Sequence, residues 1–254
     1  MIVAEFNNIS PPSNRMSSVR VALTVFILAI AALVLLFASG VGYREGSWAL
    51  PMAFTMVRWA AYLGIAVAVL AILGAVLGRP TGRLTAVYVL AFVVAAGTAF
   101  VPWRWKQIAS SVPPIHDITT DTQDPPRFVA VLPLRATAKN SAEYGGDSIA
   151  ALQRAGYPDL APAVIDAPPG ATFARARTAA EAMGWELVDA DSIAGRIEAT
   201  ATTRWFGFKD DVVVRVRGDG TRSTLDVRSV SRVGGSDVGT NAARIRQFLD
   251  TVRR

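Results

Sequence analysis

VALTVFILAIAALVLLFASGVGY, residues 21–43, runs without a charge between Arg20 and Arg44. A helix rises about 1.5 Å per residue, so roughly 20 apolar residues reach across a hydrocarbon core about 30 Å thick. Two more runs of that kind follow, residues 59–78 between Arg58 and Arg79, and residues 84–103 between Arg83 and Arg104. The sequence therefore predicts three membrane spans, at about 21–43, 57–78 and 84–103, behind a polar tail of residues 1–20 that contains Pro11 and Pro12. The first run exceeds the roughly 7 to 15 residues of a secretory-signal core and is expected to be retained. From Arg104 onward Pro, Gly, Asp and Thr multiply, and no comparable run recurs. The expected architecture is a three-helix transmembrane anchor carrying one water-soluble domain, with residues 104–127 as a Pro/Asp-rich linker and 128–254 as the domain proper.

Charge separates the same two parts. The formal net charge is +6, and the first 103 residues hold +4 of it, six Arg against Glu5 and Glu45. The soluble part is thus nearly neutral, and the high pI reflects arginines flanking spans; no nucleic-acid partner is expected. There is no cysteine, which excludes disulfides, thiolate metal sites and a Cys nucleophile, and the single histidine, His116, excludes a multi-His metal site within one chain. No cofactor is implied.

Arginines do not decide the orientation by number. Arg15, Arg20, Arg79 and Arg83 fall on one side, and Arg44, Arg58, Arg104 and Lys106 on the other. Short loops follow the positive-inside rule best, so the loop RPTGR at 79–83 is assigned to the cytoplasm and the carboxy-terminal domain to the opposite side. Trp48, Trp59, Trp103 and Trp105 gather near span ends, as amphipathic indoles do at a membrane interface. Gly64, Gly74, Gly78 and many alanines permit close helix contacts, within one chain or between the subunits of a homo-oligomer.

Periodicity outlines the soluble domain. Residues 107–128 hold Pro113, Pro114, Pro125 and Pro126 and predict an extended, turn-rich segment. Residues 128–134 are expected to form an edge strand ending at Pro133, and 141–155 a helix broken at Gly156. Thr172 is the expected cap of a helix whose Phe173, Ala176, Ala180 and Met183 share a face. Residues 196–205 alternate, with Ile197, Ala199 and Ala201 on one side and Arg196, Glu198 and Thr200 on the other, as in a strand with one wet face. Further strands are expected at 212–216 and 224–231 around a Gly218-Asp219-Gly220 hairpin, with a short one at 185–188 in front. Ile245, Phe248, Leu249 and Val252 mark a closing amphipathic helix. The predicted fold is α+β, an antiparallel meander of about four strands with two helices on one face.

Three strings resemble a known family: PIHDITTD with DPPRF at 114–121 and 124–128, WFGFKDDVVVRVR at 205–217, and DVRSVSR at 226–232, leading through Gly234, Ser236, Asp237 and Gly239 to Asn241. In this order they resemble the bacterial family catalogued as domain of unknown function 1499, over roughly residues 112–250. The resemblance implies an uncharacterised domain, often behind amino-terminal spans, and carries over no catalytic residue.

Three constellations invite chemistry. His116, Asp117, Thr119, Thr120 and Asp121, with Asp124, lie in a proline-rich segment where carboxylates can hold a hard cation or act as a base, or where Asp and Thr merely satisfy loop backbone. Arg228, Ser229, Ser231 and Arg232, followed by Ser236, Asp237 and Asn241, form a Gly-rich turn into a helix that can receive a phosphate or carboxylate, or where Ser236 or Asp237 simply caps the helix. Arg204, Arg215, Arg217 and Arg228 can gather on the polar face of the meander, either ion-paired or as a docking face for anionic headgroups. No complete catalytic set appears. The expectation is a non-enzymatic binding or interaction module at a bacterial inner membrane, whose partners are the bilayer, an anionic lipid, an envelope component or another protein. The alternative is a carboxylate- or metal-dependent hydrolase using His116, Asp117 and Asp121.

Overall fold

The structure, a computed structural model, describes residues 13–254; the expected tail up to Pro12 lies outside the described residues. The chain divides into two units, one through Arg104 and one from Trp105.

In the first unit, α1 (Ser13–Arg44), α2 (Leu50–Leu77) and α3 (Arg83–Ser111) are each long and apolar enough to cross a membrane. The chain is a multi-pass membrane protein. The helices outrun the uncharged stretches: α1 is already helical at Ser13, the first described residue, and α2 starts at Leu50 with Pro51 in its first turn, so Arg58 lies well inside a helix. Small residues make the seam. Ala22, Ala29, Ala71, Ala91 and Ala95 are buried with Val25, Val67 and Tyr88. Gly64 approaches α3 so closely that a Cβ there would stand 2.7 Å from the carbonyl oxygen of Ala95. Lipid tails are as apolar as these side chains, so van der Waals fit, not the hydrophobic effect, holds this seam.

The second unit is α+β. Strands β3 (Glu186–Asp191), β4 (Arg196–Thr202), β5 (Lys209–Gly218) and β6 (Ser223–Ser231) form the expected antiparallel meander. Two short strands, β1 (Asp117–Thr119) and β2 (Ala163–Ile165), add to the free side of β6, giving the order β1-β6-β5-β4-β3. Asp117 stands opposite Val230, Thr119 opposite Arg228, and Ala163 opposite Leu225. Helices α5 (Pro169–Ala182) and α6 (Thr240–Arg253) pack on one face, where Val212, Val214, Leu225 and Val227 meet Phe173, Ala176, Ile245 and Phe248. Trp185 stacks on Phe248 with ring centroids 5.0 Å apart.

The opposite face departs from expectation. Alternation predicts a wet surface there, yet Glu198, Asp211 and Asp226 are 0% exposed and Arg228 is 2% exposed. Residues 121–145 lie over it as an irregular strap, sealing a small apolar cluster of Phe128, Val131, Val213 and Val230. Hence the polar alternation of β4 marks a second interior, lined by charges that find partners there.

Other differences have local causes. The edge strand expected at 128–134 does not form, because the backbone N–H groups of Val129 and Val131 donate to the Glu198 carboxylate and Pro133–Arg135 winds as a 3-10 turn. The connector expected from 107 is helical through Ser111 and contributes strand β1. Helix α5 starts at Pro169, one turn before Thr172, since Pro is preorganised for the first helical positions; Thr172 is then buried inside the helix. Helix α4 (Gly146–Gly156) forms where a helix was expected, and turns Gln153 toward β1.

Candidate functional site

Beneath the strap, the buried acids Asp117, Asp211 and Asp226 are each paired with one or two arginines. Asp117, brought onto the sheet by β1, accepts two hydrogen bonds from Arg228, Nε to Oδ1 at 2.9 Å and Nη2 to Oδ2 at 2.8 Å. Arg228 donates further to the carbonyls of Pro126 and Ala142, and its guanidinium sits 5.2 Å from the Phe128 ring centre and 5.4 Å from that of Tyr144. Burial, then the Asp117 charge, pushes the Tyr144 phenol up to about 12.

Asp211 is shared by two arginines from different elements. Arg135 of the strap reaches Oδ2 at 2.6 Å, Arg232 binds both oxygens at 2.8 and 2.7 Å, and the Thr200 hydroxyl donates to Oδ1 at 2.7 Å. Burial alone would raise this carboxyl; the bonds from Arg232, Thr200 and Arg135 together outweigh it and hold it below its ordinary range. A third group joins Asp226 to Arg215 and Arg217, which also reach Asp121 and Asp124 on the strap. All three groups tie strap to sheet.

The candidate residues from the two distant sequence strings meet through the pairing of β1 with β6. Asn241, at the start of α6, accepts from the Ser229 hydroxyl at 2.7 Å and donates to the His116 carbonyl and the Ser231 hydroxyl, both at 3.0 Å. The Thr119 N–H and carbonyl bond the two ends of the Gln153 amide at 2.9 and 2.6 Å, so a side chain stands in for a neighbouring strand. Thr120 receives the Val227 N–H on its hydroxyl at 2.9 Å. Asp237 accepts the N–H groups of Gly239 and Asn241 at 2.9 and 2.7 Å, and Ser236 accepts that of Val238 at 3.2 Å. These bonds occupy donors that a bound anion would need. Burial raises the Asp237 carboxyl despite them.

The carboxylates of the first constellation do not act together: Asp117 belongs to Arg228, whereas Asp121 and Asp124 face Arg215 and Arg217. Among the described residues no group of three or more His, Asp or Glu is placed to hold a metal ion. The basic face of the meander is likewise neutralised at Arg215, Arg217 and Arg228.

A family model matches residues 117–252, from the first residue of β1 into the last turn of α6, and is described as a protein of unknown function, DUF1499. The chain belongs to this family. No curated protein matches it. The matched span contains the strap, the sheet and both covering helices, so the DUF1499 domain includes every buried ion pair described above.

Openings on the surface of the DUF1499 domain include two next to candidate residues. One, about 330 Å³, has His116, Asp117, Lys139 and Glu143 in its wall. The larger, about 550 Å³, lies beside the start of α6 and is lined by Trp185, Thr202, Arg204, Thr240, Arg244 and Gln247 with smaller residues, and by no acid. Arg244 is fixed there by Asp210 at 2.6 Å and by Asn241 and Ser229. Val238 on its rim has φ 54°, a left-handed conformation that strains a β-branched residue.

Sequence reasoning missed Arg135, Asp211 and this cleft, and took Glu198 only as a partial partner of arginines on a wet face. Asp211 and Glu198 carried a usable signal, since acids set among valines and alanines within strands are costly unless something covers and pairs them. Arg135 carried none, because its partner lies 76 residues away.

Proposed function

We propose that the DUF1499 domain of this chain is a non-enzymatic binding module, held by its spans at the bacterial inner membrane with the domain on the extracytoplasmic side. The observation that carries the reading is the closure of Asp117 on Arg228: both carboxylate oxygens are bonded to one buried guanidinium. A carboxylate with both oxygens so engaged is not presented to a substrate or a metal. Asp211 is also bonded through both oxygens, Glu198 accepts from two backbone N–H groups, and Asp226 is bonded through Oδ2 alone, to Arg215 and Arg217. What stays open is the cleft beside α6, whose polar side chains are mainly hydrogen-bond donors and suit an acceptor-rich, acidic envelope component.

Two measurements on the full chain in nanodiscs test this. With ester, phosphate-ester and glycoside substrates, the wild type is expected to show no turnover above that of Asp117→Asn; turnover that this variant abolishes would establish the hydrolase instead. Titration with glucose 6-phosphate and glucuronate, followed by tryptophan fluorescence, is expected to saturate, and to weaken about tenfold in Arg204→Gln, as loss of one charged hydrogen bond does. No saturable change with either probe would remove the cleft as the site. A reporter fused after Arg254 is expected to be active outside the cytoplasm, and activity inside would reverse the orientation.

A further inference from the structure

The strap is built inside out. One of its two arginines, Arg135, points inward and is 6% exposed, while Val129, Leu132 and Leu134 point outward at 53%, 45% and 52%. Its inner surface is occupied by Phe128 and Val131 and by the bonds to Glu198 and Asp211. Leu132 and Leu134 flank Pro133 at the start of the 3-10 turn Pro133–Arg135, so three large apolar side chains are exposed within six residues of chain.

The segment that carries the exposed apolar residues is basic, with the nearest acids in the chain, Asp124 and Glu143, just outside it. Residues 125–142 contain no Asp or Glu. Arg127 and Lys139 are exposed at either end, and neither is ion-paired among the described residues. Apolar side chains flanked by uncompensated cations match a bilayer interface, with the apolar groups at the acyl boundary and the cations among anionic headgroups. An acidic protein surface would satisfy the cations but leave the leucines without a reason. A second copy of the strap would bring like charges together.

We propose that the central part of the strap, residues 125–142, docks on the surface of an anionic bilayer, inserting Val129, Leu132 and Leu134. The three spans keep the domain in reach of such a surface, so docking is an intramolecular event and needs little intrinsic affinity. Docking also accounts for the buried ion pairs, which fix an apolar patch on the outside by anchoring its backbone and Arg135 from within.

The chain has no cysteine, which makes the test direct. Leu132→Cys and, as a control on the hairpin between β5 and β6, Thr221→Cys carry an environment-sensitive fluorophore in the full chain. Each is reconstituted in vesicles containing nitroxide-labelled lipid, made either of phosphatidylcholine with phosphatidylglycerol or of phosphatidylcholine alone. The probe at 132 is expected to be quenched in the phosphatidylglycerol vesicles. Arg127→Gln with Lys139→Gln is expected to weaken the docking equilibrium about 25-fold, at about fivefold per cation. The probe at 221 is expected to stay unquenched throughout. Equal quenching at 132 and 221 would overturn the proposal, as would equal quenching at 132 in both lipid mixtures. Energy transfer between labelled chains that rises with protein density, without lipid quenching, would assign the patch to a second copy instead.

Discussion

Asp211→Ala is expected to release the strap. Removing this carboxylate leaves Arg135 buried and Arg232 half-buried without their anion, and breaking one side of a buried ion pair costs about 3–5 kcal/mol. Arg135 is the strap's charged anchor, so the loss falls mainly on strap opening, and trypsin cleavage after Lys139 should accelerate by at least about 100-fold if opening is in rapid equilibrium. The same residue sets an acid limb of stability. Its carboxyl titrates below its ordinary 3.8 in the folded chain, so between the two values the unfolded chain takes up a proton that the folded chain refuses. The contribution is complete above pH 3.8 and is lost as the pH falls toward the folded value. Asp211→Ala should flatten that limb. Unchanged cleavage after Lys139 in the variant would show that apolar contacts alone hold the strap.

Asp117→Ala is expected to cost about 3–5 kcal/mol in urea unfolding of the full chain in nanodiscs, because Arg228 would remain buried and uncompensated. The informative companion is Asp117→Leu with Arg228→Met. Replacing a buried pair by apolar groups of similar volume is often near neutral, so the double variant should recover most of the loss. Recovery will be incomplete, since Arg228 also donates to the carbonyls of Pro126 and Ala142. A cost below about 1 kcal/mol for Asp117→Ala, the value of a solvent-exposed pair, would refute the buried-network reading.

The meander was legible because each strand carries its own evidence of period and turn: Ile197, Ala199 and Ala201 alternate, and Gly218, Asp219 and Gly220 close a hairpin. Helix α6 was legible for the same reason, in Ile245, Phe248, Leu249 and Val252. What β4 concealed was the fate of its other face. Glu198 and Thr200 look the same in one dimension whether they meet water or Arg196, Arg232 and a strap, and only long-range pairing distinguishes these cases. Asp117 was recognisable as an unusual residue in an unusual string, but its chemistry reversed once Arg228 appeared opposite: an available carboxylate became a closed one.

The sequence by itself determined that three apolar helices precede an α+β domain, because span length, hydrophobic period and turn chemistry act over a few neighbouring residues. Only the tertiary structure decided that the polar face of the sheet is an interior, that the segment around Asp117 is a strand, and that Leu132 and Leu134 face outward from the strap. Each of those outcomes depends on partners about 70 or more residues apart, such as Arg135 with Asp211 and Asp117 with Arg228. Charges have no periodicity to announce a partner at that distance; folding brings them together, and burial then makes the pairing obligatory.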